Sequence, residues 1–283
     1  MSELQILQKI TRQILKSQGK EQEIEAAKLL NAFYLKLAPE EKHHAKELEE
    51  HKLEGGLALS PHHAALCVED YTRTAKFIKG IHQACQDLFN RFPNQNINVL
   101  YAGCGPYATI FLPVLSLYDS EVFDLTLLDY NAYSIDKVKQ LISVIEMDHY
   151  RIKTQVQDAI KYTYEESKTL HLLITETMFQ GLLREPQVAV TANLAPQLAQ
   201  NGILIPQEIE IYLSRSLYGN VPFIQPDMTY RNGVNKPPIS LAIGPVMKVN
   251  KESKLAETVR YHNSEIWSPI YEIKEESKTF PDF

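Results

Sequence analysis

Apolar and polar residues recur with two different periods along this 283-residue chain, and the change of period divides it. In "MSELQILQKITRQILKSQGK" the residues Leu4, Ile6, Leu7, Ile10, Ile14 and Leu15 return at helical spacing, with Ser2 as N-cap and Gly19 as stop. A second helix is expected through "EQEIEAAKLLNAFYLKL" and a third from Pro39 through "PEEKHHAKELEEHKL", broken by Gly55-Gly56. A fourth covers roughly Asp70 to Phe92. From residue 97 short apolar runs take over. "INVLYAG" (97–103), "VFDLTLLD" (122–129), "YRIKTQVQD" (150–158), "LHLLIT" (170–175) and "GILIP" (202–206) read as strands. Helices are expected between them through "ATIFLPVLSL", "AYSIDKVKQLISVIE" and "PQVAVTANLAPQL". Strands alternating with helices imply a parallel sheet covered on both faces. After residue 207 "EIEIYLS" and "ISLAIGPVMKV" alternate with period two and no helix is evident. The expected regions are therefore 1–65 (helical), 66–207 (α/β) and 208–283 (a short β-rich region).

Composition narrows the function classes. An apolar fraction of 44% and a charged fraction of 23% are those of a globular chain. The net charge of −6 lacks the clustered basic surface of a nucleic-acid binder and is compatible with a cationic substrate. Three cysteines, Cys67, Cys85 and Cys104, show no CxxC spacing, which argues against a disulfide framework or a zinc site. The N-terminal stretch has no apolar run of signal-peptide or membrane-span length. The expectation is a cytoplasmic protein with no nucleic-acid or membrane partner, and a homodimer stays among the open states.

Chemistry concentrates at three places. In "VLYAGCGPYAT" Gly103 and Gly105 permit a tight turn between strand and helix, where a backbone can approach a ligand closely. Asp129 ends the next strand, at a position suited to both ribose hydroxyls of a nucleoside, and Asp158 ends the third, where an adenine would lie. Read as GxGxxA, with Ala108, the loop suits the pyrophosphate of NAD. It also resembles the D/E-x-G-x-G-x-G loop of class I S-adenosylmethionine-dependent methyltransferases, with Tyr101 in the acidic place and Tyr107 in that of the third glycine.

Two further segments add to that resemblance. "D-Y-T-R-T", Asp70 to Thr74, is similar to the D-x-x-R-T element of protein arginine methyltransferases. "T-E-T-M-F-Q-G-L-L-R-E" resembles their double-glutamate loop, Glu176, Met178, Leu182 and Glu185 matching in identity and spacing. Thr175 replaces a serine, Thr177 an aromatic residue and Phe179 a glycine. The likeness spans about 66 to 213; no T-H-W element follows the sheet, since His262 and Trp267 stand five apart. In that family a large β-barrel follows the sheet, whereas a short β-rich region follows here.

The resemblance implies a Rossmann-like, seven-stranded methyltransferase sheet with an N-terminal helical cap and S-adenosylmethionine as cofactor. It implies that Arg73 holds the cofactor's carboxylate, that Gly103, Cys104, Gly105, Asp129, Tyr130, Asp158 and Ala159 complete its pocket, and that Glu176 and Glu185 hold the acceptor. The chemistry is coherent. A guanidinium is protonated, delocalised and a poor nucleophile. Two carboxylates can localise its charge and aim one nitrogen at a sulfonium methyl. The acceptor is then a guanidine, an amine or another small molecule, or a peptide. An NAD-dependent oxidoreductase and a non-catalytic module of the same fold are the alternatives. His44, Glu47 and His51 fall near one helical face, but interleaved charges of this kind mark a solvated face, and no metal site is assigned.

Overall fold

The computed structural model describes residues 1–38, 48–165, 167–178, 182, 186–216 and 240–253. Helices α1 (Glu3–Lys16) and α2 (Gly19–Leu37) open the chain. The Ser2 hydroxyl accepts the Gln5 N–H at 3.2 Å while the Gln5 side chain accepts the Ser2 N–H at 3.0 Å, a capping box that fixes where α1 begins. Residues 39–47, with His44 and Glu47, lie outside the described residues.

The third helix, expected to run to Leu53, is not what forms at its end. β1 (His51–Leu53) pairs antiparallel with β2 (Gly56–Ala58) across the two-residue turn Glu54-Gly55. The glycine pair marks a hairpin turn, and the apolar residues on either side of it pack against the body of the protein instead of continuing a charged helix. α3 (Pro61–Leu66) then starts on Ser60, whose hydroxyl accepts the His63 N–H at 3.3 Å. α4 (Tyr71–Arg91) starts on Asp70, whose carboxylate accepts the Arg73 N–H at 3.0 Å. Thr74, Ala75, Ile78, Ile81, Cys85 and Leu88 form its buried stripe.

The centre is a five-stranded, fully parallel sheet: β3 (Ile97–Ala102), β4 (Phe123–Asp129), β5 (Ile152–Val156), β6 (Leu170–Thr175) and β7 (Leu198–Ile205), in the order β5-β4-β3-β6-β7. Every residue of β6 is buried, as a strand with both faces covered requires. α6 (Ala132–Val144) and α7 (Gln187–Leu194) are the crossovers seen as expected. The helix expected at residues 108–117 shrinks to α5 (Leu112–Leu115), because Ala108 takes a left-handed φ of 43° that no helix continues through. The seven strands expected in one sheet are five among the described residues. β8 (Glu208–Ser216) and β9 (Ser240–Asn250) form a separate antiparallel pair. No described helix is long and apolar enough to cross a membrane, and no described group of three or more His, Cys, Asp or Glu could hold a metal ion.

In this order the winding of the sheet reverses between the neighbouring parallel strands β3 and β6, which opens a crevice at their carboxyl ends. At the opposite edge His171 is buried on Phe92, ring centroids 4.4 Å apart, and its Nδ1 accepts the Asn98 N–H at 2.9 Å. Nδ1 is therefore the acceptor nitrogen of a neutral ring, and burial lowers the pKa below the ordinary value. The unfolded chain takes up the proton first as pH falls. The contribution of His171 is whole above about pH 6.5 and is lost below it, toward the lower folded value. Half-buried His82 is shifted in the same direction by its own burial. Denaturation midpoints should therefore fall as the pH drops below about 6.5, and His171→Asn, which keeps an acceptor for Asn98, should flatten but not abolish that slope.

Candidate active site

The carboxyl ends of β3, β4, β5 and β6 surround one cavity, lined by Arg73, Tyr101, Gly103, Cys104, Gly105, Asp129, Tyr130, Asp158, Ala159 and Glu176 among others. All eight residues expected to bind the cofactor, and Glu176, converge there from segments up to about a hundred residues apart in sequence. Glu185 and Phe179 lie outside the described residues, as do His262 and Trp267.

The glycine loop is held from one side by β4. Gly103 and Cys104 both donate their N–H groups to the Leu128 carbonyl, at 2.8 and 3.2 Å. Gly105 donates to Asp129 Oδ2 at 2.9 Å, and the other oxygen, Oδ1, accepts the Asn131 N–H at 2.8 Å. Burial raises the Asp129 pKa and these two backbone donors oppose the rise. Asp129 thus ties its own strand end to the loop. Gly103 and Gly105 both have left-handed φ, 73° and 62°. A Cβ at Gly103 would sit 2.5 Å from the Thr177 methyl, so the glycine is needed for a close approach of the β6 loop as well as for the turn.

The expected helix start beside the loop is absent, since α5 begins only at Leu112. Behind the loop the N-terminal helices act as a buttress. Tyr34 of α2 stacks on Tyr107, centroids 5.1 Å apart and planes 15° apart, and the Tyr107 hydroxyl donates to the Ala38 carbonyl at 3.1 Å. Neither α1 nor α2 supplies a residue to the cavity lining; the β1–β2 hairpin and α3 do, through Leu53, Leu57, Ala58 and Ala64.

Arg73 owes its place to Asp70. Three residues past the cap, it sits in the first turn of α4, with its guanidinium over the Phe77 ring at 5.3 Å. Its Nε donates to Glu176 Oε1 at 3.1 Å, Nη2 pairs with Glu176 Oε2, and Nη1 donates to the Cys67 carbonyl at 3.4 Å. Of the five guanidinium protons, three are engaged, leaving one on each Nη for a second carboxylate. The pair is shielded from water, with side chains 23% and 10% exposed. Tyr101, where the family has an acid, lines the cavity; burial drives its phenol pKa upward and leaves a neutral hydroxyl. Burial raises the Cys104 thiol as well, so it lines the site as a thiol and not as a nucleophile. Asp158 accepts the Ile160 N–H at 2.9 Å, turning the chain out of β5 while it lines the cavity.

Sequence reasoning missed Gln187. From the first turn of α7 its buried side-chain oxygen accepts both the Thr177 N–H at 2.7 Å and the Thr177 hydroxyl at 3.1 Å, while its amide nitrogen donates to Thr191 Oγ1 at 3.0 Å. This clamp sets the backbone that follows Glu176. The only sequence signal is a glutamine at the start of a short helix whose other polar residues are Thr191 and Asn193. Gln157, Ser134 and Thr109 also line the cavity without having been foreseen.

Fold and site together define an open α/β domain with a ligand crevice at the carboxyl edge of its sheet. No protein-family model matches the sequence, and no curated protein sequence matches it. Solved structures that resemble it include the [4+2]-cyclase SpnF, at 15% identity over 49% of this chain and 48% of that chain with a TM-score of 0.33. Another is the plantazolicin methyltransferase BpumL in complex with SAH, at 13% identity over 69% and 61% with a TM-score of 0.37. A third is Arabidopsis thaliana protein arginine methyltransferase 10, at 16% identity over 50% and 39% with a TM-score of 0.38. In each case the chain spans less than two thirds of the solved protein. Likeness this distant carries no functional weight, which leaves the geometry of the site.

Removing the Gln187 oxygen strands a part-buried Thr177 N–H. Gln187→Leu should cost about 1–3 kcal/mol in chemical denaturation. Thr177→Val, which deletes only the hydroxyl, should cost less.

Proposed function

We propose that this chain is a class I S-adenosylmethionine-dependent methyltransferase, transferring a methyl group to a nitrogen of a guanidine, an amine or another small-molecule or peptide acceptor. The observation that carries this reading is how the glycine loop spends its amides. Three consecutive N–H groups, those of Gly103, Cys104 and Gly105, are consumed by the end of β4, and a carboxylate stands against the third. A pyrophosphate needs such amides free, which disfavours NAD; an acidic strand end is common to both kinds of nucleoside site and does not separate them. A nucleoside that carries an amino-acid tail instead of phosphates meets no such conflict.

The residues fit such a ligand. Arg73 keeps two protons for the tail's carboxylate. Each Asp129 oxygen accepts one backbone N–H and retains a lone pair for a ribose hydroxyl. Tyr130, Asp158 and Ala159 lie where strand ends β4 and β5 would flank a base. When bound, S-adenosylmethionine supplies a sulfonium methyl: the S–C bond breaks as the acceptor nitrogen's lone pair forms the N–C bond, the sulfur keeps the bonding pair, and the nitrogen sheds a proton. Glu176 faces the cavity beside Arg73 and would hold the acceptor's cationic group, orient its nitrogen and draw charge away from it, with Glu185 as its partner. A fold of this kind retained only for binding would bind S-adenosylhomocysteine and transfer nothing.

Calorimetric titration with S-adenosylhomocysteine tests the pocket, and Arg73→Ala and Asp129→Ala should each weaken binding about tenfold or more, or about 1.4 kcal/mol. Glu176→Gln should bind within a few-fold of the wild type yet lose about a hundredfold or more in transfer to arginine peptides and small amines. Binding of NAD in place of S-adenosylhomocysteine would overturn the assignment.

A further inference from the structure

The β1–β2 hairpin is the part of the cavity wall that the arginine-methyltransferase resemblance leaves unexplained. Antiparallel pairing puts His51, Leu53 and Ala58 on one face, since His51 pairs with Ala58 and Leu53 with Gly56. That face meets the site. The His51 ring lies 5.2 Å from that of Tyr130, and Leu53 and Ala58 line the cavity together with Tyr130 and Ala159, while Leu57, paired with Lys52 on the other face, reaches the lining as well.

The hairpin is anchored along its length. Near its base, Asn131 Nδ2 donates to the Glu49 carbonyl at 3.5 Å. At its tip Glu54 pairs with Lys161 at 3.3 Å, and Gly55 lies so close to α7 that a Cβ there would sit 2.7 Å from the Ala189 Cβ and 3.1 Å from Ile160 Cδ1. Its contacts therefore follow the ends of β4 and β5, the nucleoside side of the crevice, and reach α7 at the tip. Lys52 is exposed on the opposite face.

We propose that this hairpin is the second wall of the nucleoside site, with Leu53 closing on one face of the base and the Gly55–Ala189 contact setting how far the wall can close. The inference rests on the nucleoside reading of the cavity. A planar base is well served by such an arrangement, because apolar side chains on one face and strand-end residues on the other exclude water from both. A glycine at position 55 follows from it, since any side chain would prop the tip away from α7 and widen the gap.

The test is a size swap read by calorimetry with S-adenosylhomocysteine and with adenosine as probes. Gly55→Ala should weaken both about fivefold to tenfold, and Gly55→Ala combined with Ala189→Gly should restore both to within about twofold of the wild type. Leu53→Ala should weaken both about tenfold, the scale of one lost buried leucine contact. In parallel, S-adenosylhomocysteine should slow tryptic cleavage after Lys52 in the wild type. Single variants that bind both probes like the wild type would overturn the wall, and so would a Gly55→Ala defect that Ala189→Gly leaves unrescued. A wild type that binds neither probe overturns the nucleoside reading and the wall with it, whereas a wild type that binds beside indifferent variants overturns the wall alone.

Discussion

Asp129 is a buried carboxylate at the end of a central strand, and the site depends on what its two oxygens do. One accepts the Gly105 N–H and the other the Asn131 N–H, which joins the glycine loop of β3 to the start of α6. Burial alone would favour protonation, and the two backbone donors stabilise the charged form against it. With Leu128 accepting from the two preceding amides, the loop is held at three consecutive positions by its neighbouring strand. Gly103 can then press against Thr177, so the same clamp sets the distance from the loop to the β6 segment.

On the proposed reading, this constraint also bears on which ligand the site takes. Parallel sheets in this strand order bind dinucleotides and other nucleosides in one crevice, and topology does not separate them. The disposition of amides does. A loop that has spent its N–H groups internally, next to a carboxylate and ahead of a helix that begins only at Leu112, has little to offer a phosphate. In the proposed reading the remaining lone pairs of Asp129 take a ribose and the free protons of Arg73 take a carboxylate.

Much of this was legible in the sequence, for physical reasons that differ by element. The strands were visible because a parallel sheet buries both faces, so "LHLLIT" and "VFDLTLLD" read as predominantly apolar runs and match β6 and β4 closely. The D-x-x-R spacing was visible as a motif, and its structural meaning is a cap: Asp70 starts α4 and so places Arg73 in the first turn. The hairpin was not legible. Its residues follow a charged stretch with helical period, and the force that makes them strands is packing against Tyr130 and Ala189, more than seventy positions away. Gln187 was hidden for a similar reason, because a polar residue on a short, largely apolar helix gives no sign of which backbone it will hold. The shortened α5 reflects a backbone choice at Ala108 that side-chain pattern does not encode.

The charge balance inside the cavity bears on what the site can receive. Among its described lining residues three carboxylates, Asp129, Asp158 and Glu176, face one guanidinium, that of Arg73. Arg73 is already matched by Glu176, which leaves the negative potential of the two aspartates uncompensated by any lining cation. In a region of low dielectric such an excess repels anions and is relieved by a ligand with net positive charge. A sulfonium nucleoside with an ammonium and a carboxylate has that balance, and so does a cationic nitrogen acceptor. A dinucleotide, with two phosphate charges, would make the imbalance worse. The electrostatics and the spent amides therefore point the same way, and they share Asp129: it clamps Gly105 and contributes, with Asp158, to the charge excess, while the Leu128 carbonyl and Asp158 each add a part that does not depend on it.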